Sequence, residues 1–557
     1  MRWNIKTALE GAGQDRRLGQ LIHHLLSNRG LKTKSQIADF LHPPHPQDLT
    51  LRDVGLKQRP ISQTIARLAK AIDRKQTVAI YGDYDADGIT ATAILWLTLH
   101  RLGAQVHPFI PDRQRHGYGL SVAGVTDLVA AHHPDLIITV DNGIVAHEAA
   151  AFVRSQNIDL IITDHHQPGK TLPEANLIVH SDQVAGSGIS WFLAREIINH
   201  LHLQGLTPQS LLDLLTIGTV ADLMPMLGPN RSLVTHGLKV LTETTRIGLI
   251  ALKKEAGLTD PTTISTYEVG FIIAPRINAM GRLEHGLDAL RLLCTTDPAK
   301  AKNLAGILGN TNRTRQDLTV ELMQQADQIY QTTHDQSANI IIIDHQEFHE
   351  GVIGLIAGRL SEKYSKPTIV ISRGEAVSKA SARSVAGVNI IELIRTHQDL
   401  LLGAGGHPGA AGFSVATEKI ATFREAITAT AASIPSKLLT KNLDIDCQLD
   451  FTDLTPGIYQ QIKAFAPFGL GNPTPTFAAF AKLVDFRPVG RDHEHLKLTV
   501  TDPDDPHFTL DAIAFRRGYL ANQLEPGSLI QVAFTLDENT WNNHTKLQLI
   551  IKDIKTN

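Results

Sequence analysis

The chain has 557 residues, which at roughly 100 to 200 residues per domain corresponds to about three or four domains. With 53 Lys and Arg against 56 Asp and Glu, its formal net charge is −3, and 42% of its residues are hydrophobic. This composition excludes disordered, collagen-like and fibrous proteins, and it neither favours nor excludes a nucleic-acid partner.

The cysteines and the apolar runs indicate the cellular compartment. Cys294 and Cys447 are too few for a disulfide framework or a thiolate zinc cluster. The opening residues, MRWNIKTALEGAGQDRRLG, contain no apolar run of the length found in a secretion signal. No stretch approaches the roughly 20 apolar residues of a membrane helix. We therefore expect a cytoplasmic protein without a membrane-spanning segment.

Residues 1–55 are predicted to form an N-terminal extension, because their short helical patterns end at the proline-rich LHPPHP. The next region, 56–295, alternates short apolar runs with longer helical patterns, which is typical of parallel strands joined by helices. Because the carboxyl ends of parallel strands meet at one edge of a sheet, acids placed there are expected to lie together. Four apolar runs end on an acid: VAIYGD (78–83), LIITVD (136–141), LIITD (160–164) and LIVHSD (177–182).

Three further units are predicted after this first α/β domain. Residues 296–335 are expected to form a long connecting helix with Pro298 at its first position. A second, smaller α/β domain is predicted at 336–436 from the apolar runs ANIIIID and KPTIVIS. Alternating segments such as HLKLTV, LIQVAF and KLQLII within 437–557 predict a β-barrel of the oligonucleotide-binding (OB) type.

The first of the four runs leads into YGDYDADGIT, in which Asp83, Asp85 and Asp87 alternate. Like charges at this spacing raise one another's pKa and destabilise a fold unless a cation lies between them, so the pattern indicates a divalent metal. The alternative is a solvated surface turn, since Asp-Gly turns are common.

Two other strand ends bring further candidate ligands to the same edge, Asp141 in TVDNG and the Asp-His-His triplet 164–166 in TDHHQP. Carboxylates with imidazole and without thiolate favour Mn²⁺ or Mg²⁺, and the imidazole favours Mn²⁺. Two such ions would clamp the attacking and leaving oxygens of a displacement at phosphorus, with Asp141 as the candidate bridge. Asp222 in TVADLMP would close the site from the opposite side, although a helix-terminal Asp is more often solvated.

These segments resemble the DHH phosphoesterase superfamily, whose four motifs correspond in order to GDYDADG, TVDNG, TDHH and GTVADLMP. The likeness continues through GVIGLIAGRLSEKYSKPTIVIS, SARS and GAGGHPGAAGF, which resemble the DHHA1 half of the superfamily. From Gly55 onwards the chain looks like the RecJ family of bacterial exonucleases, which degrade single-stranded DNA from the 5′ end. Each motif alone is a weak signal, whereas the ordered set is specific.

The resemblance implies two divalent metal ions, Mn²⁺ preferred or Mg²⁺, and a role for each acid and imidazole. Asp164 would orient the neighbouring imidazole without touching metal, and His166 would face the scissile phosphate. Asp83 would act beside the first ion in a role that the resemblance leaves open. The implied metal ligands, with Asp141 as the bridge, are Asp85, Asp87, Asp141, His165 and Asp222.

One position departs from the superfamily pattern. DHH pyrophosphatases carry a His four residues before the first ligating Asp, and Tyr81 stands at that position here. The first ion then has one protein ligand fewer, and Asp83 or water would fill the gap. We therefore predict that one metal site is occupied more weakly than the other, which two equally tight sites in a metal titration would contradict.

Basic and glycine-rich segments are the candidates for holding the substrate. Ser381 and Arg383 offer a hydroxyl and a guanidinium suited to a terminal phosphate, and the resemblance implies a 5′-phosphate pocket there. Arg113 is expected to reach this pocket, with Arg115 as its rival. The alternative is that these residues have structural roles without substrate contact, as surface arginines, helix caps and a glycine-rich turn around a core histidine. The remaining candidates are Arg276, Asn278 and Arg282 at the active-site approach, and Gly405, Gly406 and His407 in the glycine-rich segment.

The resemblance implies a single-stranded-DNA-specific exonuclease that acts stepwise from the 5′ end in DNA repair and recombination, with a single-strand-binding protein and a repair helicase as partners. Two alternatives stay open: a DHH phosphodiesterase for short oligonucleotides or cyclic dinucleotides, and a non-catalytic single-strand-binding replication factor. The added barrel argues against the first, and the intact ligand set argues against the second. The aromatic candidates for base stacking, each also a candidate for the barrel core, are Phe465, Phe468, Phe515 and Trp541.

Overall fold

The computed structural model describes residues 1–9, 14–258, 263–333, 335–541 and 544–556. Within these ranges the strands form four sheets: one in each α/β domain, a closed barrel, and a two-stranded sheet that joins the N-terminal segment to the barrel domain. The predicted fold class is confirmed, and the domain boundaries at residues 55, 295, 335 and 436 stay a prediction.

The N-terminal segment packs against the other end of the chain. Its strand β1 pairs in parallel with residues Asn442–Ile445, and Leu21 and Leu25 lie in the same hydrophobic core as the barrel. The sequence predicted an extension here and did not predict this partner. The elements of the segment are β1 (Arg2–Ile5), α1 (Gln14–Asn28) and α2 (Lys34–Leu41).

The first α/β domain contains a five-stranded, all-parallel sheet in the order β3-β2-β4-β5-β6. Its helices after the sheet include a π-helical turn at Glu268–Ile273. The other elements, in chain order, are α3 (Gln58–Asp73), β2 (Thr77–Tyr81), α4 (Ala86–Arg101), β3 (Gln105–Phe109), α5 (Val122–His132), β4 (Leu136–Val140), α6 (His147–Ser155), β5 (Asp159–Asp164), β6 (Leu177–His180), α7 (Gly186–His200), α8 (Leu212–Ala221), α9 (Gly228–Thr242), α10 (Ile247–Glu255), α11 (Ala274–Leu283) and α12 (Leu287–Cys294).

The central strands explain why the candidate acids meet. Every residue of β4, LIITV, is buried, as expected for a parallel strand covered by helices on both faces. Asp83 and Asp141 follow β2 and β4 at the same edge of the sheet, and Asp164 ends β5. The edge strand β3 was not predicted, because Pro108 interrupts its apolar run, and an edge strand is where a sheet tolerates proline.

The connecting helix α13 (Pro298–Thr333) begins at the predicted proline and is shared by two cores. Leu304 and Leu308 pack into the first α/β domain, whereas Leu322 and Tyr330 pack into the second. The helix therefore fixes the spacing of the two domains. None of the helices in the described ranges is both long enough and apolar enough to cross a membrane.

The second α/β domain has a five-stranded sheet in the order β10-β11-β9-β8-β7, in which only β7 and β8 run parallel among the described strands. The glycine-rich segment GAGGHPGAAGF forms the hairpin of β10 and β11, with β10 on the open edge. The elements are β7 (Ile341–His345), α14 (Ile353–Tyr364), β8 (Thr368–Ser372), β9 (Val377–Arg383), α15 (Ile390–Arg395), β10 (Leu401–His407), β11 (Ala410–Ala416) and α16 (Ile420–Ala431).

The barrel domain closes on itself. Its strands follow the order β14-β15-β16-β18-β17, and β17 pairs back with β14, so that the ring has no open edge. This is the predicted OB-like barrel. The elements of the domain are β12 (Asn442–Ile445), β13 (Cys447–Gln448), α17 (Pro456–Lys463), β14 (Phe477–Val489), β15 (His495–Thr501), β16 (Thr509–Ala514), β17 (Leu529–Trp541) and β18 (His544–Thr556).

One buried arginine of α9 joins three parts of the chain. The guanidinium of Arg231 donates to the carbonyl oxygens of Phe40 at 2.7 Å, Phe465 at 2.8 Å and Ala466 at 2.8 Å. Its central carbon lies 3.8 Å from the centroid of the Phe40 ring. Burial lowers the pKa of Arg231 to about 10. The side chain therefore serves carbonyl groups of the N-terminal segment and the barrel domain from a helix of the first α/β domain.

Replacing this arginine is expected to destabilise the protein. Arg231→Ala would remove the donor to the carbonyl oxygens of Phe40 and Ala466 and the cation that lies over the Phe40 ring, and it should lower the free energy of unfolding by about 3 kcal/mol. Urea unfolding followed by tryptophan fluorescence measures the change. The matched control is Arg59→Ala on the exposed side of α3, which should change stability by less than about 0.5 kcal/mol. Equal stability of the two variants would contradict the role given to Arg231.

Candidate metal centre and nucleic-acid site

The loop between β2 and α4 places three acids at the edge of the sheet. Asp83 is fully buried, and its Oδ1 accepts from the Tyr84 N–H at 2.7 Å. Asp85 is the N-cap of α4, and its Oδ1 accepts from the Gly88 N–H at 3.0 Å. Capping thus starts the helix and fixes one acid in the same step.

Asp87 in the first turn of α4 is held by another helix. Its two oxygens accept from the Gly186 N–H at 2.6 Å and the Ser187 N–H at 3.0 Å, which are the first amides of α7. The N-terminal end of a helix favours a negative charge. Gly186 is required for close packing, since an added Cβ would lie 2.5 Å from both Cβ and Oδ1 of Asp141.

Asp141 lies at the centre of the cluster. It follows β4 with a backbone φ of +64°, in the left-handed region, which Asp and Asn adopt more readily than other non-glycine residues. Its Oδ1 lies 3.1 Å from Nε2 of His165. The contact lacks the geometry of a hydrogen bond, so this buried oxygen has no hydrogen-bond partner among the described residues.

The end of β5 supplies an acid that accepts several hydrogen bonds, Asp164, and two imidazoles, those of His165 and His166. Asp164 accepts from the Ile144 N–H at 2.9 Å, the His165 N–H at 2.7 Å and Nδ1 of His166 at 2.7 Å. Burial opposes the charge of Asp164, but these hydrogen bonds and the charge on His166 outweigh it and lower the pKa. Nε2 of His166 lies 2.9 Å from the hydroxyl of Tyr118.

Asp222, at the end of α8, also lies in the cluster. Its Oδ2 lies 3.7 Å from Nε2 of His165. The fourth strand-end acid of the sequence pattern, Asp182, is exposed and lies outside the ligand groups described below.

Burial and mutual repulsion raise the pKa values of several acids of the cluster. Burial, reinforced by Asp85, raises the pKa of Asp83 to about 8. Burial, reinforced by Asp87 and Asp85, raises the pKa of Asp222 to about 8. The same causes raise the pKa of Asp141 far above its ordinary value. Without a cation these groups repel one another, which is the condition that a divalent metal removes.

The geometry fits two cations. Among the described residues, three groups offer ligand atoms within 4.8 Å of one another. The unpaired buried oxygens Asp83 Oδ2 and Asp141 Oδ1 point to missing positive partners. The three groups are Asp83, Asp85 and Asp141; Asp87, His165 and Asp222; and Asp141, His165 and His166.

Tyr81 takes no part in these groups. Its side chain is fully buried, its hydroxyl donates to the Gly119 carbonyl oxygen at 3.2 Å, and its ring lies 5.0 Å from that of Phe109. The residue that replaces the superfamily histidine therefore serves the core. Asp83 is in reach of the same cation position as Asp85 and Asp141, which supports the predicted role of Asp83 beside the first ion.

A cluster of arginines lies between the acids and the second α/β domain. Nη1 of Arg383 donates to Oγ of Ser381 at 3.1 Å, and Arg282 donates to the Gly351 carbonyl oxygen at 3.0 Å. Burial, with Arg113 as the next cause, lowers the pKa of Arg282 to about 10 and lowers that of Arg383 as well. The positive charges of these three arginines act on one another, and clustered positive charge attracts anions.

The structure distinguishes the two rival arginines of the 113–115 segment. The Arg113 guanidinium lies 5.1 Å from the centroid of the Tyr84 ring and acts electrostatically on both Asp83 and Arg383. Arg115 is exposed and pairs with Asp127 at 2.9 Å. The geometry therefore favours Arg113 as the arginine that faces the cluster.

Two other candidates on α11 hold the structure together. Asn278 accepts from the Ala86 N–H at 2.8 Å, which ties α11 to the start of α4. Nε of Arg276 pairs with Glu255 at 2.7 Å, and Glu255 also binds Arg313 of the connecting helix. The structure thus places Arg276 in an ion-pair network with Glu255 and Arg313.

The remaining candidates lie on the edge strand of the second α/β domain and in the barrel domain. Gly405, Gly406 and His407 are exposed on the edge strand β10. Phe465 is buried in the core shared by α1 and the barrel, and Phe468 packs partly buried against it. Phe515 is exposed, and the side chain of Trp541 lies outside the described part of the chain. Of the four aromatic candidates, Phe515 is therefore the one shown on the surface.

Comparison with protein families covers all three folded parts of the chain. A DHH family N-terminal domain profile matches residues 77–219, a DHHA1 domain profile matches 337–433, and a RecJ OB domain profile matches 445–553. The single-stranded-DNA-specific exonuclease RecJ of Bacillus subtilis is 34% identical over 99% of this chain and 70% of its own length. The chain belongs to the RecJ family. Its relative in Escherichia coli is 30% identical, with 96% of each chain covered.

Solved RecJ structures share the fold of the whole chain. RecJ from Thermus thermophilus in complex with Mn²⁺ matches with a TM-score of 0.83 and 31% identity, over 100% of this chain and 80% of that one. The same protein in complex with Mg²⁺ matches with a TM-score of 0.78 and 30% identity, over 100% and 78%. Mn²⁺ and Mg²⁺ are the ions that the ligand chemistry of this RecJ family member predicted.

Sequence reasoning missed two residues of this RecJ centre. Tyr118 contacts His166, and Tyr84 lies beneath Arg113 with its ring 6.1 Å from that of Tyr118. Both lie in segments already selected, YGDYDADG and RQRHGYG. The presence of a tyrosine in each of these segments was the available signal, but only the fold shows that the two segments meet.

The close approach at Gly186 predicts the effect of one methyl group on metal binding. Gly186→Ala would displace the Asp141 carboxylate, and it should weaken Mn²⁺ binding about 10- to 100-fold, the range found when groups that position metal ligands are changed. Calorimetric titration with Mn²⁺ measures the loss. Gly306→Ala on the connecting helix, where an added Cβ meets nothing within 4 Å, is the control and should bind as the unmodified protein does. Equal affinities of the two variants would contradict the packing argument.

Proposed function

We propose that this RecJ family member is a single-stranded-DNA-specific exonuclease that hydrolyses phosphodiester bonds stepwise from the 5′ end. The observation that carries the proposal is the joint placement of a carboxylate–imidazole cluster and an arginine cluster between the two α/β domains. The acids would hold the cations, and the arginines would hold the phosphates of the strand. We place the activity in DNA repair and recombination in the cytoplasm, and the family resemblance suggests a single-strand-binding protein and a repair helicase as partners.

Two divalent ions, Mn²⁺ or Mg²⁺, would be held by the groups within ligand distance of one another. When bound, such ions activate a water nucleophile and stabilise charge on the phosphoryl oxygens. We assign Asp85 with Asp83 to the first ion, Asp87 with His165 and Asp222 to the second, and Asp141 to both. The group of Asp83, Asp85 and Asp141 lacks an imidazole. We predict that its ion binds more weakly than the second ion, and a metal titration measures the two affinities.

The protein positions the reacting phosphate through fixed side chains. Asp164 accepts from Nδ1 of His166 and thereby sets the orientation of the ring. Nε2 of His166 then faces the Tyr118 hydroxyl and the cleft, where it can donate to a phosphoryl oxygen. Tyr118 limits the rotation of this imidazole from the solvent side, so both groups are in place before substrate binds.

Polarity follows from an anchor for the terminal phosphate. Ser381 and Arg383 lie against the first turn of α14, where a Cβ added at Gly354 would be 3.0 Å from both side chains. The N-terminal end of a helix favours an anion, and Arg113 adds charge from the first domain. An anchor at a fixed short distance from the metal centre would allow only the first linkage to reach it. We propose that three exposed residues of β10 contact the sugar-phosphate backbone of the strand beyond its terminal phosphate. They are Gly405, Gly406 and His407.

The alternative functions have less support. An oligonucleotide or cyclic-dinucleotide phosphodiesterase does not need the closed barrel at the C-terminal end, and a binding-only replication factor does not need the intact ligand set. Hydrolysis of a 5′-phosphorylated single strand compared with hydrolysis of a dinucleotide separates the first alternative from the proposal. A preference for the dinucleotide would overturn the exonuclease assignment.

The catalytic role of the cluster predicts the effect of a change at its centre. Asp141→Asn should reduce Mn²⁺-dependent hydrolysis of a 5′-phosphorylated single strand by at least about a hundredfold, since losing a bridging ligand exceeds the effect of an outer-shell change. Release of mononucleotides over time measures the rate. Asp182→Asn changes an exposed strand-end acid outside the ligand groups and should leave the rate unchanged. Full activity of Asp141→Asn would contradict the catalytic role assigned to the cluster.

The proposed anchor predicts a loss of end discrimination. Arg383→Ala removes one charge-assisted contact to the terminal phosphate, and it should reduce the preference for 5′-phosphate over 5′-hydroxyl strands about tenfold or more. The ratio of kcat/KM for the two strands measures this preference. Arg373→Ala, in the same domain but paired with Asp344 at 3.2 Å, is the matched control. An unchanged ratio in Arg383→Ala would place the terminal phosphate elsewhere.

A further inference from the structure

Two aromatic side chains outside the metal centre are exposed and stacked on each other. The rings of Tyr267 and Phe271 lie 5.0 Å apart at an angle of 30°. The two residues are 60% and 70% exposed, which is unusual for neighbouring large apolar side chains and marks an interaction site. They lie at the π-helical turn Glu268–Ile273, and turns of this kind occur frequently at functional sites.

Hydrogen bonds bring two more exposed apolar residues onto neighbouring segments. The Thr266 hydroxyl donates to the Phe468 carbonyl oxygen at 2.7 Å. The Met226 N–H donates to the Leu470 carbonyl oxygen at 2.7 Å. These bonds join the π-helical turn and the segment after Asp222 to one loop of the barrel domain. We call the exposed side chains of this junction the aromatic patch, which consists of Leu223 (68% exposed), Tyr267, Phe271 and Leu470 (60% exposed).

The aromatic patch lies on segments that also carry residues of the metal centre and of the arginine cluster. Leu223 directly follows the metal-ligand candidate Asp222. The helix that carries the aromatic pair runs on through α11 to Arg282 of the arginine cluster. On its other face this helix packs against α8 at Gly270, where an added Cβ would lie 3.8 Å from Val220. One rigid element therefore leads from the exposed rings to the groups that would hold phosphate.

We propose that the aromatic patch is a base-stacking platform for the unpaired strand just outside the active site. This inference rests on the proposed exonuclease function, which requires a strand to pass between the metal centre and the barrel domain. Aromatic stacking binds any base, because every base presents a π-face, and it suits an enzyme that reads no sequence. Bases inside a duplex are already stacked on their neighbours, so the platform would also favour single strands. The occupant is DNA rather than a protein because the patch adjoins Asp222 and the barrel.

Stacking can be observed directly without catalysis. In the Phe271→Trp variant, a 5′-phosphorylated oligothymidylate of about 20 nucleotides should quench the added tryptophan fluorescence in the presence of EDTA, because a stacked base quenches indole. The unmodified protein provides the background of its four tryptophans. Quenching no greater than in the unmodified protein would overturn the proposal.

Kinetics separate stacking from a merely apolar contact. Phe271→Leu keeps an apolar side chain but removes the ring, and it should raise KM for the same oligonucleotide about tenfold, which corresponds to about 1.4 kcal/mol. Phe271→Trp should restore KM. The control is Ile250→Ala, which truncates an exposed apolar residue of α10 and should leave KM unchanged. A normal KM for Phe271→Leu would overturn the proposal, as would a change of oligomeric state or of protein binding in this variant without a change in KM.

Failure of this inference differs from failure of the proposed function. If the unmodified protein releases no mononucleotides from single strands, the exonuclease assignment fails, and with it the reason to expect DNA on the patch. If the unmodified protein is active and Phe271→Leu behaves identically, the exonuclease assignment stands and the platform is rejected.

Discussion

Mutual repulsion among buried carboxylates is the constraint around which the first α/β domain is organised. Asp83 and Asp141 are brought together because parallel strands end at the same edge, and Asp87 is added by the capping of α7. Hydrogen bonds offset part of the repulsion at Asp87 and Asp164, whereas one oxygen each of Asp83 and Asp141 has no hydrogen-bond partner in the part of the chain that the structure describes. The fold therefore keeps these carboxylates in unfavourable proximity, and bound divalent cations would remove the repulsion between them.

The second α/β domain supplies charge of the opposite sign. Its Arg383 and the Arg282 of the first domain both experience the charge of Arg113, and the connecting helix is packed into the cores of both domains. Hydrolysis of a phosphodiester strand requires both clusters, because the arginines would hold the phosphates while the acids hold the cations at the reacting phosphate. Separating the tasks between two domains lets distance along the strand select the bond that is cut.

Local pattern was sufficient for much of this arrangement. Apolar runs ending on acids predicted the parallel sheet and the meeting of Asp83, Asp141 and Asp164, because strand periodicity and sheet geometry are local properties. The same rule failed for Asp182, since nothing in the sequence shows that β6 directs its acid to solvent. Contacts between distant segments were beyond reach: the Arg276 ion pair with Glu255 required knowing that α10 and α11 are neighbours.

The pairing of the N-terminal segment with the barrel domain has a consequence for biosynthesis. Asn4 and Asp444 are joined by a hydrogen bond across 440 residues of sequence, and α1 shares its core with the barrel. During translation the first segment must leave the ribosome long before its partner strands exist, and its apolar face stays uncovered for that time. Segments that wait in this way are sites of misassembly, so the folding of the N-terminal segment depends on completion of the barrel domain.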